Sequence, residues 1–314
     1  MNILLSCSSN KTILLEWIYR SIKKIKIKAK VFAGDTDKTV VSKFFCDRFW
    51  HMPILIDANL PKILKFLKNN KIKIVFPTSD KELFFWAKHK NLFIKNEIFV
   101  MISDLETIVA CNDKFKFYKV LQDNKNIAFT SLSLSDFNDK IRLVAKSRYG
   151  SGSKKIFIGL FKKEINLIKN CKNFIYQKYF KGKEFSVDCY FDNNNNLLSC
   201  VSRYRNKINN GESEITTVFK NFSLINVIIK LSRNFKFRGH IMFQGILLNN
   251  KNIKIFECNP RFGGASYISS SQHSDSVVNF ISENIFSKKL FLYKKSKNII
   301  VKKMIIYKKA KFFK

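Results

Sequence analysis

Towards its C-terminal end the chain carries the run Ile253-Lys254-Ile255-Phe256-Glu257-Cys258-Asn259-Pro260-Arg261-Phe262-Gly263-Gly264. The apolar residues predict a strand that puts Glu257 and Asn259 on one face, two residues apart, and Pro260 then ends it. Two oxygen ligands so spaced suit Mg²⁺ held between protein and nucleotide phosphates, because Mg²⁺ takes few protein ligands and keeps its other positions for phosphate and water. Arg261 falls on the same alternating face, where it could meet a phosphate or a transition-state oxyanion. The plain alternative is a charged strand end before an ordinary turn. A second run, Leu143-Val144-Ala145-Lys146-Ser147-Arg148-Tyr149-Gly150-Ser151-Gly152-Ser153, ends a strand at Lys146 and continues into small residues. Backbone N–H groups of Gly150, Ser151, Gly152 and Ser153 could approach phosphate oxygens, with Lys146 supplying charge. Here the plain alternative is a two-glycine hairpin beside a solvated lysine. In Ser202-Arg203-Tyr204-Arg205 the alternation puts Arg203 and Arg205 on one face, fit either to clamp a substrate carboxylate bidentately or to form a half-buried ion-pair face.

These residues need elements to hold them. The first hundred residues alternate: strands at Asn2–Leu5, Ala29–Ala33 and Ile72–Phe76, helices at Lys11–Lys28 and Pro61–Asn69. Such alternation predicts a parallel sheet with crossover helices. The loop Ser6–Asn10 is small and polar but lacks the GxGxxG dinucleotide pattern. Asp35, Asp37, Asp80 and Glu82 follow predicted strands, where open α/β sheets bind ligands, and solvated turn acids are an equal reading of all four. From about Asp104 the texture changes. A helix at Lys114–Gln122 precedes a hairpin of strands Ile141–Lys146 and Lys154–Ile158. A helix near Lys163–Lys169 follows, then strands at Phe174–Tyr179, Glu184–Phe191 and Leu197–Arg205. The last third predicts a helix at Leu224–Asn234, strands at His240–Leu248 and Ile253–Cys258, and a helix near Ser274–Ile285.

Composition sets the outer bounds. With 314 residues, 46% of them hydrophobic, the chain can bury cores for two or three subdomains. Its net charge of +35 would suggest nucleic acid or an anionic surface, but the lysines are spread along the whole length and no reader motif accompanies them. Nucleic acid is therefore not an expected partner. Arginine is scarce, which marks the few present as candidates for a planar, bidentate role. Seven cysteines without a CxxC pair argue against a disulfide framework or zinc knuckle and fit a reduced cytoplasm. The opening MNILLSC reads as a strand rather than a lipoprotein signal, and no apolar run approaches a membrane span.

Taken together, the segments resemble the ATP-grasp superfamily, and within it single-chain proteins similar to half of the carbamoyl phosphate synthetase large subunit. The resemblance implies an α/β and α+β chain. A Rossmann-like pre-ATP-grasp domain at 1–103 would precede an ATP-grasp fold at 104–314, whose two α+β subdomains clasp ATP, with a lid at about 118–178 and a basic segment at 287–314. The run Phe76–Leu83 would end the first sheet. By the same resemblance Lys114, in Asn112-Asp113-Lys114, and Lys146 touch ATP phosphates beneath the 149–153 loop. Gln177 and the backbone near Tyr179 border adenine, and Glu184 meets the ribose. Gln244, on the strand before Glu257, completes the metal ligands with Glu257 and Asn259. Gln177 stands where relatives often carry an acid, and neutral Gln244 leaves the metal site with one carboxylate, so Mg²⁺, with Mn²⁺ as a substitute, would depend on the nucleotide.

The expected activity is ligation: a carboxylate activated by ATP as an acyl phosphate is captured by an amine, with Lys146, Arg261, Arg203 and Arg205 in catalytic roles. Two alternatives stand beside it. One stops at phosphorylating a small acid or carbamate; the other is a non-catalytic ATP-binding protein with a basic, polyanion-binding surface. The acid, the amine and the oligomeric state, a homodimer included, are left open.

Overall fold

The computed structural model describes residues 1–150, 155–168, 173–209, 211–248, 252–270, 275–286 and 303–305. Ser151, Gly152 and Ser153, and most of 287–314, lie outside the described residues.

Strands β1 (Asn2–Ser6), β2 (Lys30–Asp35), β3 (Arg48–His51), β4 (Ile72–Pro77) and β5 (Phe99–Val100) form a parallel sheet in the order β3-β2-β1-β4-β5. Helices α1 (Thr12–Lys24), α2 (Leu60–Asn69), α3 (Asp80–Lys88) and α4 (Lys90–Lys95) connect them. In α1 the apolar positions Leu14, Leu15, Trp17, Ile18 and Ile22 recur at helical spacing and are buried. The helix is shorter than the sequence suggests, because Lys26 takes a left-handed φ of 56° just after it. The 76–83 run does not end the sheet: β5 pairs beyond β4, and the run itself turns into α3. Ser79 and Glu82 form a capping box there, a signature legible in Ser-x-x-Glu.

Helices α5 (Leu105–Asn112) and α6 (Lys114–Leu121) lead into a four-stranded antiparallel sheet of β6 (Thr130–Ser131), β7 (Leu143–Ser147), β8 (Ile156–Leu160) and β9 (Phe174–Lys178), ordered β6-β9-β7-β8. Helix α7 (Lys162–Asn166) crosses between β8 and β9, shorter than expected. The remaining strands are β10 (Lys183–Phe191), β11 (Leu197–Asn209), β12 (Glu212–Phe219), β13 (Gly239–Leu247), β14 (Ile253–Asn259) and β15 (Lys303–Ile305). They form one sheet in the order β14-β13-β10-β11-β12-β15. Glu212 and Ser213 open β12 directly after the turn at Gly211, and the signal for this strand is the β-branched run Ile215-Thr216-Thr217-Val218.

Alternation along β10 divides the molecule. Phe185, Val187 and Cys189 point into a core shared with Leu224, Ile228 and Leu231 of α8 (Phe222–Ser232) and with Phe117 of α6. Ser186, Asp188 and Tyr190 point the other way. Tyr190 packs there with Phe262, with α1, and with the last two helices, α9 (Tyr267–Ser270) and α10 (Ser276–Ile285). The first sheet is docked on this second face. Trp17 Nε1 and Ser21 Oγ both donate to Asp275 Oδ1, at 2.9 and 3.1 Å. No helix of the described residues is long and apolar enough to cross a membrane.

Candidate active site

The site assembles where three sheets meet. In the six-stranded sheet, register places Arg203 opposite Ser186, Ser186 opposite Gln244, and Gln244 opposite Glu257, so one row crosses four strands. Asn259 stands in the next row, opposite Met242. Between Glu257 and Ile255 the pairing skips Phe256, a bulge that sharpens the twist and re-aims the strand end. Of the three metal candidates only Glu257 is an acid, and the Nδ2 of Asn259 donates to its Oε1 at 3.1 Å. Among the described residues there is no group of three or more His, Cys, Asp or Glu side chains that could hold a metal.

Lys146, from the facing sheet, brings its ammonium 3.8 Å from Glu257 Oε2 and 4.5 Å from the centre of the Phe256 ring. Burial drives its pKa down to about 8 against the opposing pull of Glu257, with Lys114 adding to the depression. Glu257 is shifted the other way. Burial raises its pKa, but Lys114, Lys146 and Asn259 outweigh that and hold the carboxyl below its ordinary value. Lys114 Nζ donates to the Gly150 carbonyl at 2.7 Å, and Gly150 turns the chain there with a φ of 86°.

Asp113 explains why these two lysines meet. It caps α6 through the N–H groups of Phe115 and Lys116, and it receives Arg148 bidentately at 2.8 and 2.7 Å. The start of α6 is thereby fastened to the chain just beyond Lys146, and an isolated bridge pairs Asp113 with Tyr149. In sequence Asn112-Asp113-Lys114 draws notice for its lysine; the aspartate's partner lies thirty-five residues away, and its one signal is that Arg148 is among few arginines.

Asp80, Lys81, Cys111, Asn112, Lys114, Tyr149, Gly150, Glu257 and Asn259 line a cavity of about 220 Å³. This is below the roughly 300–1,000 Å³ that encloses a whole drug-sized ligand, so it could take only part of one. A larger cavity of about 370 Å³ lies against Asn2, Lys30, Arg48 and Lys71, at the N-terminal strand ends of the first sheet. Ligands of open α/β sheets bind at the opposite, carboxyl ends, so the smaller cavity is the better candidate.

Arg261 reaches this cavity's wall. Its Nε and Nη2 bind Asp80 at 2.5 and 2.8 Å, and its Nη2 lies 3.4 Å from Asn259 Oδ1. Burial alone would lower its pKa, but Asp80 raises it. Asp80 is therefore no solvated turn acid. Nor is Glu82, which is 1% exposed and accepts from Ser6, Trp86, Thr78 N–H and Ser79 N–H.

The two arginines of β11 share a face as expected, and both are ion-paired: Arg203 Nε with Asp188 at 2.7 Å, and Arg205 with Glu184. Arg205 also donates to Ser213 Oγ and the Gly211 carbonyl. Glu184, expected to meet the ribose, is thus paired with Arg205. Gln177 is 4% exposed and donates to Thr130 Oγ1 at 2.8 Å. The backbone N–H of Tyr179 is taken by the Arg142 carbonyl at 2.9 Å.

Residues 170–301 match the family described as ATP-grasp in the biosynthetic pathway with Ter operon, and residues 3–101 match the PylC-like N-terminal domain. Among solved structures the fold is similar to the biotin carboxylase–beta-gamma-ATP complex of Campylobacter jejuni, with a TM-score of 0.67, 15% identity, and coverage of 90% of this chain and 70% of that one. N5-carboxyaminoimidazole synthetase of Staphylococcus aureus complexed with ADP gives a TM-score of 0.68 at 13% identity, over 90% of this chain and 77% of that one. The L-amino acid ligase of Bacillus licheniformis gives 0.66 at 16%, over 90% and 73%. No curated protein sequence matches the chain.

Proposed function

We propose, for a chain that has an ATP-grasp domain behind a PylC-like N-terminal domain, that it is an ATP-dependent ligase joining a carboxylate to an amine. The observation that carries the reading is the convergence of Lys114, Glu257 and Asn259 on one cavity, with Lys146 3.8 Å from Glu257 and Arg261 bound to Asp80 of the cavity wall. Two cations facing a lone carboxylate make a poor metal cage but a good triphosphate site, to which Mg²⁺ would come with the nucleotide. Gln244, Glu257 and Asn259 would hold it; when bound, it supplies charge neutralisation at the terminal phosphates.

In this reading Lys114 and Lys146 bind the phosphate oxygens, while Gln177 and Tyr179 border adenine and Glu184 the ribose. An oxygen of the substrate carboxylate attacks the γ-phosphorus, the bond to the β,γ-bridging oxygen breaks, and ADP leaves. Lys146 offsets charge on the transferring group. The amine nitrogen then attacks the acyl carbon of the acyl phosphate; phosphate departs and the amine loses a proton. Arg261 meets oxygens of the transferring phosphoryl group and then faces the oxyanion of that second step, and Arg203 and Arg205 lie on the acid's side. No side-chain nucleophile is needed.

The test is a panel of small carboxylates, each with and without amines, screened for stimulated ADP release by the purified chain. Hydroxylamine should trap the acyl phosphate as a hydroxamate with an active acid. Acid-dependent AMP and pyrophosphate instead of ADP would refute attack at the γ-phosphorus. Tight ATP binding with no acid-stimulated cleavage would refute ligation altogether.

A further inference from the structure

Behind the site lies a polar cluster of which the steps above use only Arg203. Asp188 is fully buried, yet each of its oxygens has donors. Oδ2 receives Arg203 Nε at 2.7 Å and Ser269 Oγ at 2.8 Å. Oδ1 receives Ser266 Oγ at 2.7 Å and lies 3.2 Å from His240 Nε2. The opposite ring nitrogen of His240 is 2.8 Å from Ser276 Oγ, at the start of α10. Burial would push the Asp188 carboxyl up, but Arg203 and His240 hold it well below the usual range.

The cluster is joined to the reaction end by one short path. Ser266 Oγ, while donating to Asp188, accepts the N–H of Gly263 at 2.8 Å, two residues past Arg261. The turn is confined on both sides. A Cβ at Gly263 would meet Met242 Sδ at 2.5 Å, and one at Gly264 would meet a Glu212 carboxylate oxygen at 2.7 Å. Met242 is itself pinned, 3.3 Å from Arg203 Nη2. An anion buried this deeply is expensive, and an apolar pair of the same volume would pack as well, so its retention calls for a reason other than stability.

We propose that Asp188 is a positioning residue: through Ser266 it fixes the 261–264 turn, and so holds Arg261 and the Asn259 strand end in the arrangement that the phosphoryl-transfer step requires. The proposal rests on the ATP-dependent reading above. Asp188 touches neither nucleotide nor acid; it acts by denying the turn alternative positions, the support that a reactive constellation needs from its surroundings.

The test uses the full chain with MgADP, with and without aluminium fluoride as a stand-in for the transferring phosphoryl group, so no acid substrate is needed. Affinities come from calorimetry, and thermal unfolding reports folding. In the unaltered chain aluminium fluoride should tighten MgADP binding by roughly tenfold or more, as donors fixed for a transition state do. Asp188→Asn and Ser266→Ala should keep MgADP affinity within about twofold and lose the tightening, like Arg261→Ala; this is an effect on the transition-state mimic alone. Ser266→Thr, which keeps the hydroxyl, should retain it. Combining Asp188→Asn with Arg261→Ala should be no worse than Arg261→Ala, because both act through one group. If Asp188→Asn does not fold, Ser266→Ala decides, since it leaves the Asp188–Arg203 pair intact. Tightening retained in folded Ser266→Ala, or losses that multiply in the double variant, would overturn the proposal. A wild-type chain that does not bind MgADP at all would fail the functional reading itself, before any variant is made.

Discussion

Lys146→Ala is expected to weaken MgATP binding with little effect on folding. The ammonium lies 3.8 Å from Glu257 Oε2 and is nearly shielded from water, so their attraction is about 4 kcal/mol at an effective dielectric near 20. Little of that appears as stability. Glu257 keeps Lys114 and Asn259, and removing the lysine also removes the burial cost that brings its pKa to about 8. Those opposing changes should leave Tm within about 2 °C of the unaltered chain, equivalent to about 1 kcal/mol. Binding is different, because a charge-assisted contact to phosphate is worth roughly 1.5–3 kcal/mol, a loss of about 10- to 150-fold in affinity. Lys163→Ala, in α7 and exposed, should change affinity by less than about twofold. Titrating ATP into both variants by calorimetry at pH 7 settles the matter. Equal affinities in Lys146→Ala, Lys163→Ala and the unaltered chain would remove Lys146 from the nucleotide site.

Glu257→Gln should abolish Mg²⁺-dependent turnover, by about a hundredfold or more, while the protein stays folded, since shape is kept and the one anionic ligand is lost; Asn259→Ala should cost less, and activity at ordinary Mg²⁺ in Glu257→Gln would contradict the assignment. Asp113→Asn keeps a cap for α6 but loses the bidentate ion pair; with Arg148 22% exposed, we expect about 1.5 kcal/mol or roughly tenfold in ATP affinity, and an unchanged dissociation constant would mean that the fastening is irrelevant to binding. Glu82 gives a pH signature. Burial pushes its carboxyl pKa up despite four donors, so the folded protein takes up a proton before the unfolded chain does. Its contribution is full below the ordinary carboxylate pKa of about 4.3 and is lost as pH rises through the folded value. The stability gap between the unaltered chain and Glu82→Gln, measured by denaturant unfolding, should therefore narrow from pH 4.5 upward; a gap that widens would reverse the sign of the argument.

What the sequence discloses is governed by distance along the chain. Period-two alternation and apolar runs are local, and they locate β1, β2, β4, β7, β9, β10, β11, β13 and β14 to within a few residues. The spacing of Glu257 and Asn259 is local too, and fixes their common face. Pairings are not local. Arg261 and Asp80 are separated by 181 residues, and nothing near either one names the other. The Phe256 bulge is likewise invisible until β13 supplies the register that it breaks. For Arg203 and Arg205 the sequence left a substrate clamp and an ion-pair face side by side; Asp188 and Glu184, on the adjoining strand, are the groups that pair with them.

The Arg261–Asp80 pair bears on how such a chain can be recombined. Two of its segments, residues 3–101 and 170–301, match separate families, which invites treating them as exchangeable parts. Yet Arg261, in the second segment, is oriented by an acid that belongs to the first, at the start of α3. A graft that exchanged residues 3–101 for a homologous segment lacking an acid at the position of Asp80 would leave a buried guanidinium without its counter-charge, a loss that neither segment alone would disclose. The unit of inheritance at this site is thus the seam between the segments, not either segment by itself.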